Sequence, residues 1–148
     1  MTNKLQSLLN AKKQTSVATG IGGAMHAKLQ SVFFLADGAI GDKDIINAVS
    51  NVPELREYMG EKSRTEVPIA GIVNGVFISR RIDRLYVNEQ TKTVVVLDYK
   101  TDTNRNRFYK KYIEQLTEYR DLLKQIYPDF NIHCKILWTH DFTLENVI

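Results

Sequence analysis

Three observations predict a mixed α/β domain in which an antiparallel meander is flanked by helices. Residues 22 to 60 carry helix-period patterns, three strand-period segments follow between Arg64 and Thr101, and a long amphipathic helix then leads into a last apolar strand. Residues 1–21 hold a short helical pattern (Leu5, Leu8, Leu9) and a polar run, "KKQTSVATG", and are expected to be mobile. The stretch "GGAMHAKLQSVFFLADG" reads as one helix with Met25, Leu29, Val32 and Phe33 on a face and Gly38 as its stop. "GDKDIINAVSN" and "VPELREYMG" read as two short helices, the second with Pro53 in its first turn. "RTEVPIAG", "GVFISRRIDRLYV" and "KTVVVLDYKT" read as strands, the last two joined by a hairpin across "NEQTK". "NRNRFYKKYIEQLTEYRDLLKQIYP" is a helix, apolar at Tyr112, Leu116, Tyr119, Leu123 and Ile126 and closed by Pro128, and "IHCKILW" is a strand.

The chain has 148 residues, enough for one well-packed domain, expected over residues 22–148. A net charge of +3 permits a nucleic-acid partner without requiring one. The single cysteine, Cys134, excludes an internal disulfide and any four-cysteine zinc or iron–sulfur site. No signal-peptide h-region and no membrane-length apolar run is present, so a soluble cytoplasmic protein is expected.

The charges inside the strand segments raise the functional question. Asp98 and Lys100 end the apolar run "VVVLDYK" and project to one face, roughly 7 Å apart at ~3.3 Å per residue. Asp83, in "RRIDRL", is brought near Asp98 by a hairpin across "NEQTK", provided the turn has an even number of residues: two (Gln90, Thr91) or four (Glu89 to Lys92). Each residue alone reads as a surface charge. Two carboxylates and a lysine converging from adjacent strands carry a repulsion that a divalent cation removes. Mg²⁺ prefers carboxylate oxygen and keeps water, and an acidified water attacks a phosphodiester while positive charge offsets the charge building on phosphate. Lys100 is placed to orient that water or stabilise the pentacovalent state.

Other residues are ambiguous alone. His26 reads as structural or solvent-facing, and Glu66 as an edge charge or a site acid. Gln115 and Tyr119, four apart, share a helix face, where Tyr119 suits a core and the polar Gln115 does not. Arg105, Arg107, Lys110 and Lys111 crowd the start of the long helix, against the sense of its dipole, so phosphate groups of DNA would offset them; a solvated basic face is the other reading.

The ordered set "GGAMH", "EVPIAG", "RRIDRL", "LDYKT" and "QLTEY" resembles the RecB-type branch of the PD-(D/E)XK nucleases, and within it is similar to the C-terminal nuclease domains of AddA helicase–nuclease subunits, from about Gly22 to the end of the chain. The resemblance implies a restriction-endonuclease-like PD-(D/E)XK core and a Mg²⁺- or Mn²⁺-dependent deoxyribonuclease of double-strand-break repair and recombination, exonuclease ahead of endonuclease. It implies that His26, Asp83 and Asp98 bind metal, that Lys100 is the catalytic lysine, that Glu66 is an acid near the site, and that Gln115 and Tyr119 line the site and the DNA path.

Two features depart from the pattern. Relatives usually place glycine three residues before the metal-binding Asp, where this chain has Arg80, expected by alternation on the opposite strand face from Asp83. A G-x-x-x-x-G-K-S/T phosphate loop is missing, so the helicase domain would be a partner or a lost neighbour. These departures favour an alternative, a catalytically silent nuclease-like module that binds nucleic acid or a helicase partner. A plain protein-interaction domain is a third reading.

Overall fold

Helix α1 (Gly20–Gln30) opens the described part of the chain, residues 20 to 148, in a computed structural model. The mobile segment expected over residues 1–21 lies, up to residue 19, outside the described residues. The helix expected to run to Gly38 stops at Gln30 instead. Ser31 Oγ donates back to Lys28 O at 2.6 Å, and the β-favouring run after it forms a small hairpin, β1 (Phe33–Leu35) and β2 (Gly38–Ile40). Gly41 follows with φ 107, and a Cβ there would lie 2.3 Å from Ser31 O, so this return needs glycine. The two short helices are α2 (Lys43–Val49), capped by Asp42 accepting from Ile45 N at 3.0 Å, and α3 (Pro53–Tyr58), with proline in its first turn.

A five-stranded mixed sheet follows, in the order β3 (Ser63–Val73), β4 (Val76–Asn88), β5 (Thr93–Lys100), β6 (Asn131–Trp138) and β7 (Thr143–Asn146). β3, β4 and β5 form the antiparallel meander, while β5 and β6 run parallel because α4 (Tyr109–Ile126) crosses between them. The long helix starts later than expected: Asn104 Oδ1 accepts from Asn106 N at 3.1 Å in a local turn, which leaves Arg105 and Arg107 ahead of the helix. The β4–β5 turn is four residues, Glu89 to Lys92, between the pair Asn88 and Thr93, and Asn88 Oδ1 accepts from Gln90 N and Thr91 N at 3.0 and 3.2 Å.

Each sheet face buries a separate core. Leu116, Leu122 and Leu123 of α4 pack on Ile78, Ile82, Val94, Val96 and Ile136 of the sheet. On the opposite face Leu29, Val32, Ile45, Val49 and Leu55 of the earlier elements cover Tyr86, Val95, Leu97 and Tyr99. Strand alternation is broken within β4: Ile82 belongs to the α4 core, yet Arg84, two residues on, turns to the α1 side. The partner strand breaks at the same level, where Glu66, in register opposite Asp83, has φ 52. Beyond this level β4 no longer pairs with β5, which it meets only from Arg84 to Asn88. The β3–β4 hairpin therefore leaves the sheet as an arm.

Arg84 sits at this junction with no exposed surface. Its Nε donates to Tyr99 Oη at 2.9 Å, Nη1 to Ser63 Oγ at 2.9 Å, and Nη2 to Leu29 O and Val32 O at 3.0 and 2.8 Å, with Phe33 stacked 4.6 Å away. The Leu29 carbonyl in the last turn of α1, with its share of the helix's negative end, and the Val32 carbonyl just past it serve the buried guanidinium in place of a carboxylate. Arg84→Leu should destabilise the fold by about 3–5 kcal/mol, and Arg84→Lys should recover little, because an ammonium cannot span acceptors on three elements. Urea denaturation measures both.

Candidate active site

The four-residue turn sets the register so that Asp83 lies opposite Asp98, one step past the last ladder pair, Arg84 with Leu97. Asp83 Oδ2 accepts from Tyr99 N at 2.8 Å, so the carboxylate takes the backbone donor that the departing strand would otherwise satisfy. His26, on α1, brings Nε2 to 3.4 Å from the same Asp83 oxygen, and its ring meets Tyr99 edge-on at 5.6 Å. Asp83 is thus the link between two neighbours, His26 of α1 at its Oδ2 and Asp98 of β5 across the strands, without the three side chains closing into one cluster.

Lys100 is half-buried and held from three sides. Its Nζ lies 3.0 Å from Asp98 Oδ2, donates to Gln115 Oε1 at 3.1 Å, and sits 4.3 Å above the Tyr112 ring. Gln115 Nε2 donates onward to Tyr119 Oη at 2.8 Å, and Tyr119 Oη donates to Arg81 O at 3.3 Å. Tyr112 Oη donates to the Asp102 carboxylate. Burial first, then the negative charge of Asp98 and Asp83, pushes the Tyr119 phenol up; burial and Asp102 do the same at Tyr112, so both rings keep their protons and act as donors. The pair Gln115 and Tyr119 expected on one helix face is a hydrogen-bonded relay from Lys100 to the arm. Tyr112 escaped the sequence reading because its spacing fits the apolar face of α4, although its place three residues before Gln115 was a usable signal.

The other predicted residues fall as follows. Glu66 accepts from Gln30 Nε2 and pairs with Arg81 at 3.7 Å, at the edge of the site. Arg80 turns to α4, where Nε donates to Glu118 at 2.9 Å; its face relative to Asp83 does not follow from alternation, because alternation breaks between them. Arg105 is engaged with Asp141 at 2.5 Å and lies over Trp138, whereas Arg107, Lys110 and Lys111 are exposed, with Arg107 and Lys111 flanking the Phe108 ring. Cys134 is buried, its thiol pushed up to about 12 by burial, which removes it from nucleophilic chemistry. A cavity of about 450 Å³, lined by residues including Lys62, Arg64, Leu85, Val87 and Tyr127, shares no residue with this cluster.

Asp98 carries the electrostatic cost of the arrangement. It is 3% exposed, and burial raises its pKa to about 6, with Asp83 adding to the rise and Lys100 opposing it. The Lys100 contact is an ion pair without hydrogen-bond alignment, so the buried Oδ2 has no hydrogen-bond partner. Among the described residues no three His, Cys, Asp or Glu side chains lie close enough together to hold a metal ion. A Mg²⁺ site does not need three: one or two carboxylates suffice, with water filling the rest. A buried carboxylate oxygen that lacks an aligned hydrogen bond and lies beside a second carboxylate fits such a cation in chemistry and charge, with Lys100 as its present counter-charge.

No protein-family model matches the chain, and no match is found among curated proteins. Among the described residues no helix is long and apolar enough to cross a membrane.

At ~1.4 kcal/mol per tenfold in proton affinity, raising Asp98 from its ordinary 3.8 to about 6 costs the folded chain about 3 kcal/mol. The folded state binds the proton more tightly, so the penalty is absent below the ordinary value, grows as pH rises, and is complete above about 6. Asp98→Asn should therefore be more stable than the parent chain by about 3 kcal/mol near neutral pH, with the gain vanishing towards pH 3.8. Mn²⁺ or Mg²⁺ should raise the melting temperature of the parent chain and leave that of Asp98→Asn unmoved. Thermal melts across pH, with and without metal, test both statements.

Proposed function

We propose that this chain is a metal-dependent deoxyribonuclease domain with a PD-(D/E)XK core of the RecB type, working in double-strand-break repair as part of, or derived from, a helicase–nuclease. The observation that carries the reading is the opposition of Asp83 and Asp98 across adjacent strands, with Lys100 Nζ 3.0 Å from Asp98 and His26 Nε2 3.4 Å from Asp83. Mg²⁺ or Mn²⁺, held by His26, Asp83 and Asp98, would supply an acidified water and positive charge against the phosphate. Imidazole ligation favours Mn²⁺ over Mg²⁺.

The chain's own residues account for the rest. Tyr99 N–H fixes one oxygen of Asp83, and Gln115 and Tyr112 fix the Lys100 ammonium, so neither group has to reorganise when charge develops nearby. Lys100 offers donors beside the two carboxylates, where a phosphate oxygen would gain negative charge. Burial of Asp98 strengthens the charge interactions around it. Arg107, Lys110 and Lys111, exposed at the start of α4, would meet backbone phosphates. The mode of attack expected of this class is exonucleolytic, and linear against circular DNA separates that from endonuclease action.

One observation favours the second reading, a nuclease-like module that binds without cutting: the His26, Asp83 and Asp98 side chains do not form a three-ligand cluster in this conformation. Cleavage of labelled linear DNA with Mn²⁺ decides between them. On the nuclease reading, Asp98→Asn and Lys100→Ala each lower the cleavage rate by about 100-fold or more while DNA affinity persists. Arg107→Ala with Lys111→Ala should weaken binding and flatten its salt dependence by about one log–log unit per lost contact. Absent cleavage, with DNA binding intact, would establish the binding module instead, and metal-independent cleavage would overturn the metal site.

A further inference from the structure

The arm formed by β3 and β4 beyond Glu66 and Asp83 is built as a rigid projection with one bare face. It closes in a two-residue turn, Asn74 and Gly75, with φ of 52 and 78, the geometry that matches strand twist. Its inner face is clamped to α4: Gln125 Nε2 donates to Ile72 O at 2.8 Å, Arg80 pairs with Glu118, Tyr119 Oη reaches Arg81 O, and Gly71 leaves room for Leu122. The outer face carries the cross-strand pairs Pro68 with Arg81, Ala70 with Ser79, and Ile72 with Phe77. Among the described residues nothing covers it: Phe77 is 69% exposed, Ile72 61%, and the Arg81 side chain 66%.

The order of these residues is informative. Arg81 stands two positions from Asp83, at the root, and Phe77 stands six positions out, about 20 Å at ~3.3 Å per residue. Small residues, Ala70 and Ser79, leave a shallow step between the cation and the ring. A cation for a phosphate and an exposed aromatic ring for a base, in line with the carboxylate pair, are the elements that hold a single strand without reading its sequence. Two large apolar side chains are far short of the roughly 800 Å² per partner of a stable protein interface, which disfavours a second copy of the chain as occupant.

We infer that the outer face of this arm is a platform for one single strand of nucleic acid, with Arg81 on its backbone and Phe77 stacked on a base. The strand's path to the Asp83 and Asp98 site rests on the nuclease reading; binding to the arm does not. Binding is therefore measured in the Asp98→Asn chain, which cannot cut on that reading, with a fluorescent oligothymidine and by anisotropy. Phe77→Ala should weaken binding by about 5- to 150-fold and Phe77→Trp should preserve it. On an oligonucleotide of the same length made of abasic sites, the Phe77→Ala chain and its parent should bind alike, because no base is present to stack. Equal affinity of Phe77→Ala and its parent for oligothymidine overturns the inference. So does a Phe77→Ala chain that sediments as a monomer where its parent is a dimer, since the ring would then serve self-association. Loss of cleavage in the parent chain with the Phe77 effect intact would remove the nuclease reading and leave the platform standing.

Discussion

A guanidinium sealed from water has to find its counter-charge in the fold, and Arg84 finds it in the carbonyl end of α1 rather than in an acid. That choice has geometric consequences. By donating at once to α1, to Ser63 on β3 and to Tyr99 on β5, Arg84 fixes the helix that carries His26 against the strand that carries Asp98. Its chain neighbour Asp83 is then held in the gap between them. An acid partner for Arg84 would have consumed the charge locally; dipolar acceptors leave the nearby carboxylates uncompensated by it and available for another cation.

The second constraint is the shared break in alternation at Glu66 and Asp83. A non-glycine residue with φ 52 inside a strand costs of order 1–3 kcal/mol and persists only where the surroundings hold it. Here Gln30 and Arg81 hold Glu66 by its carboxylate. The break has two products from one distortion: it releases β4 from β5, so that Asp83 caps Tyr99 N–H with its side chain, and it turns the hairpin into an arm that α4 can clamp. Site and arm are thus coupled through the relay from Lys100 by Gln115 and Tyr119 to Arg81 O. Any shift of the arm is felt at the lysine through three hydrogen bonds.

The α/β class, the meander, the two short helices and the hairpin across Glu89 to Lys92 were legible because each rests on local pattern and turn chemistry. So was the opposition of Asp83 and Asp98, which follows from the parity of an even turn. What failed did so where tertiary contacts override local pattern. The helix expected through Gly38 ended at Gln30, because helical periodicity at Val32 and Phe33 was outweighed by β-branched and aromatic preference and by the close return of Gly41 to Ser31. Arg80 could not be placed by alternation across a break that no local signal announces. The Asn74 and Gly75 turn was the overlooked signal, since this dipeptide between apolar runs specifies a two-residue hairpin. Arg84 was hidden by its own charge, which on sequence reads as surface.

Asp98 is where the fold and the site compete. A buried carboxyl raised to about 6 beside a second acid makes the fold less stable near neutral pH than a neutral amide there would. Lys100 offsets the cost only in part, because Gln115 and the Tyr112 ring draw its ammonium toward α4 and leave the ion pair out of hydrogen-bond alignment. A lysine optimised for stability would have faced the carboxylate squarely. One held aside keeps its ammonium within 3.0 Å of the carboxylate oxygen without an aligned hydrogen bond to it, an arrangement that folding alone does not explain and that suits the proposed stabilisation of charge on a phosphate.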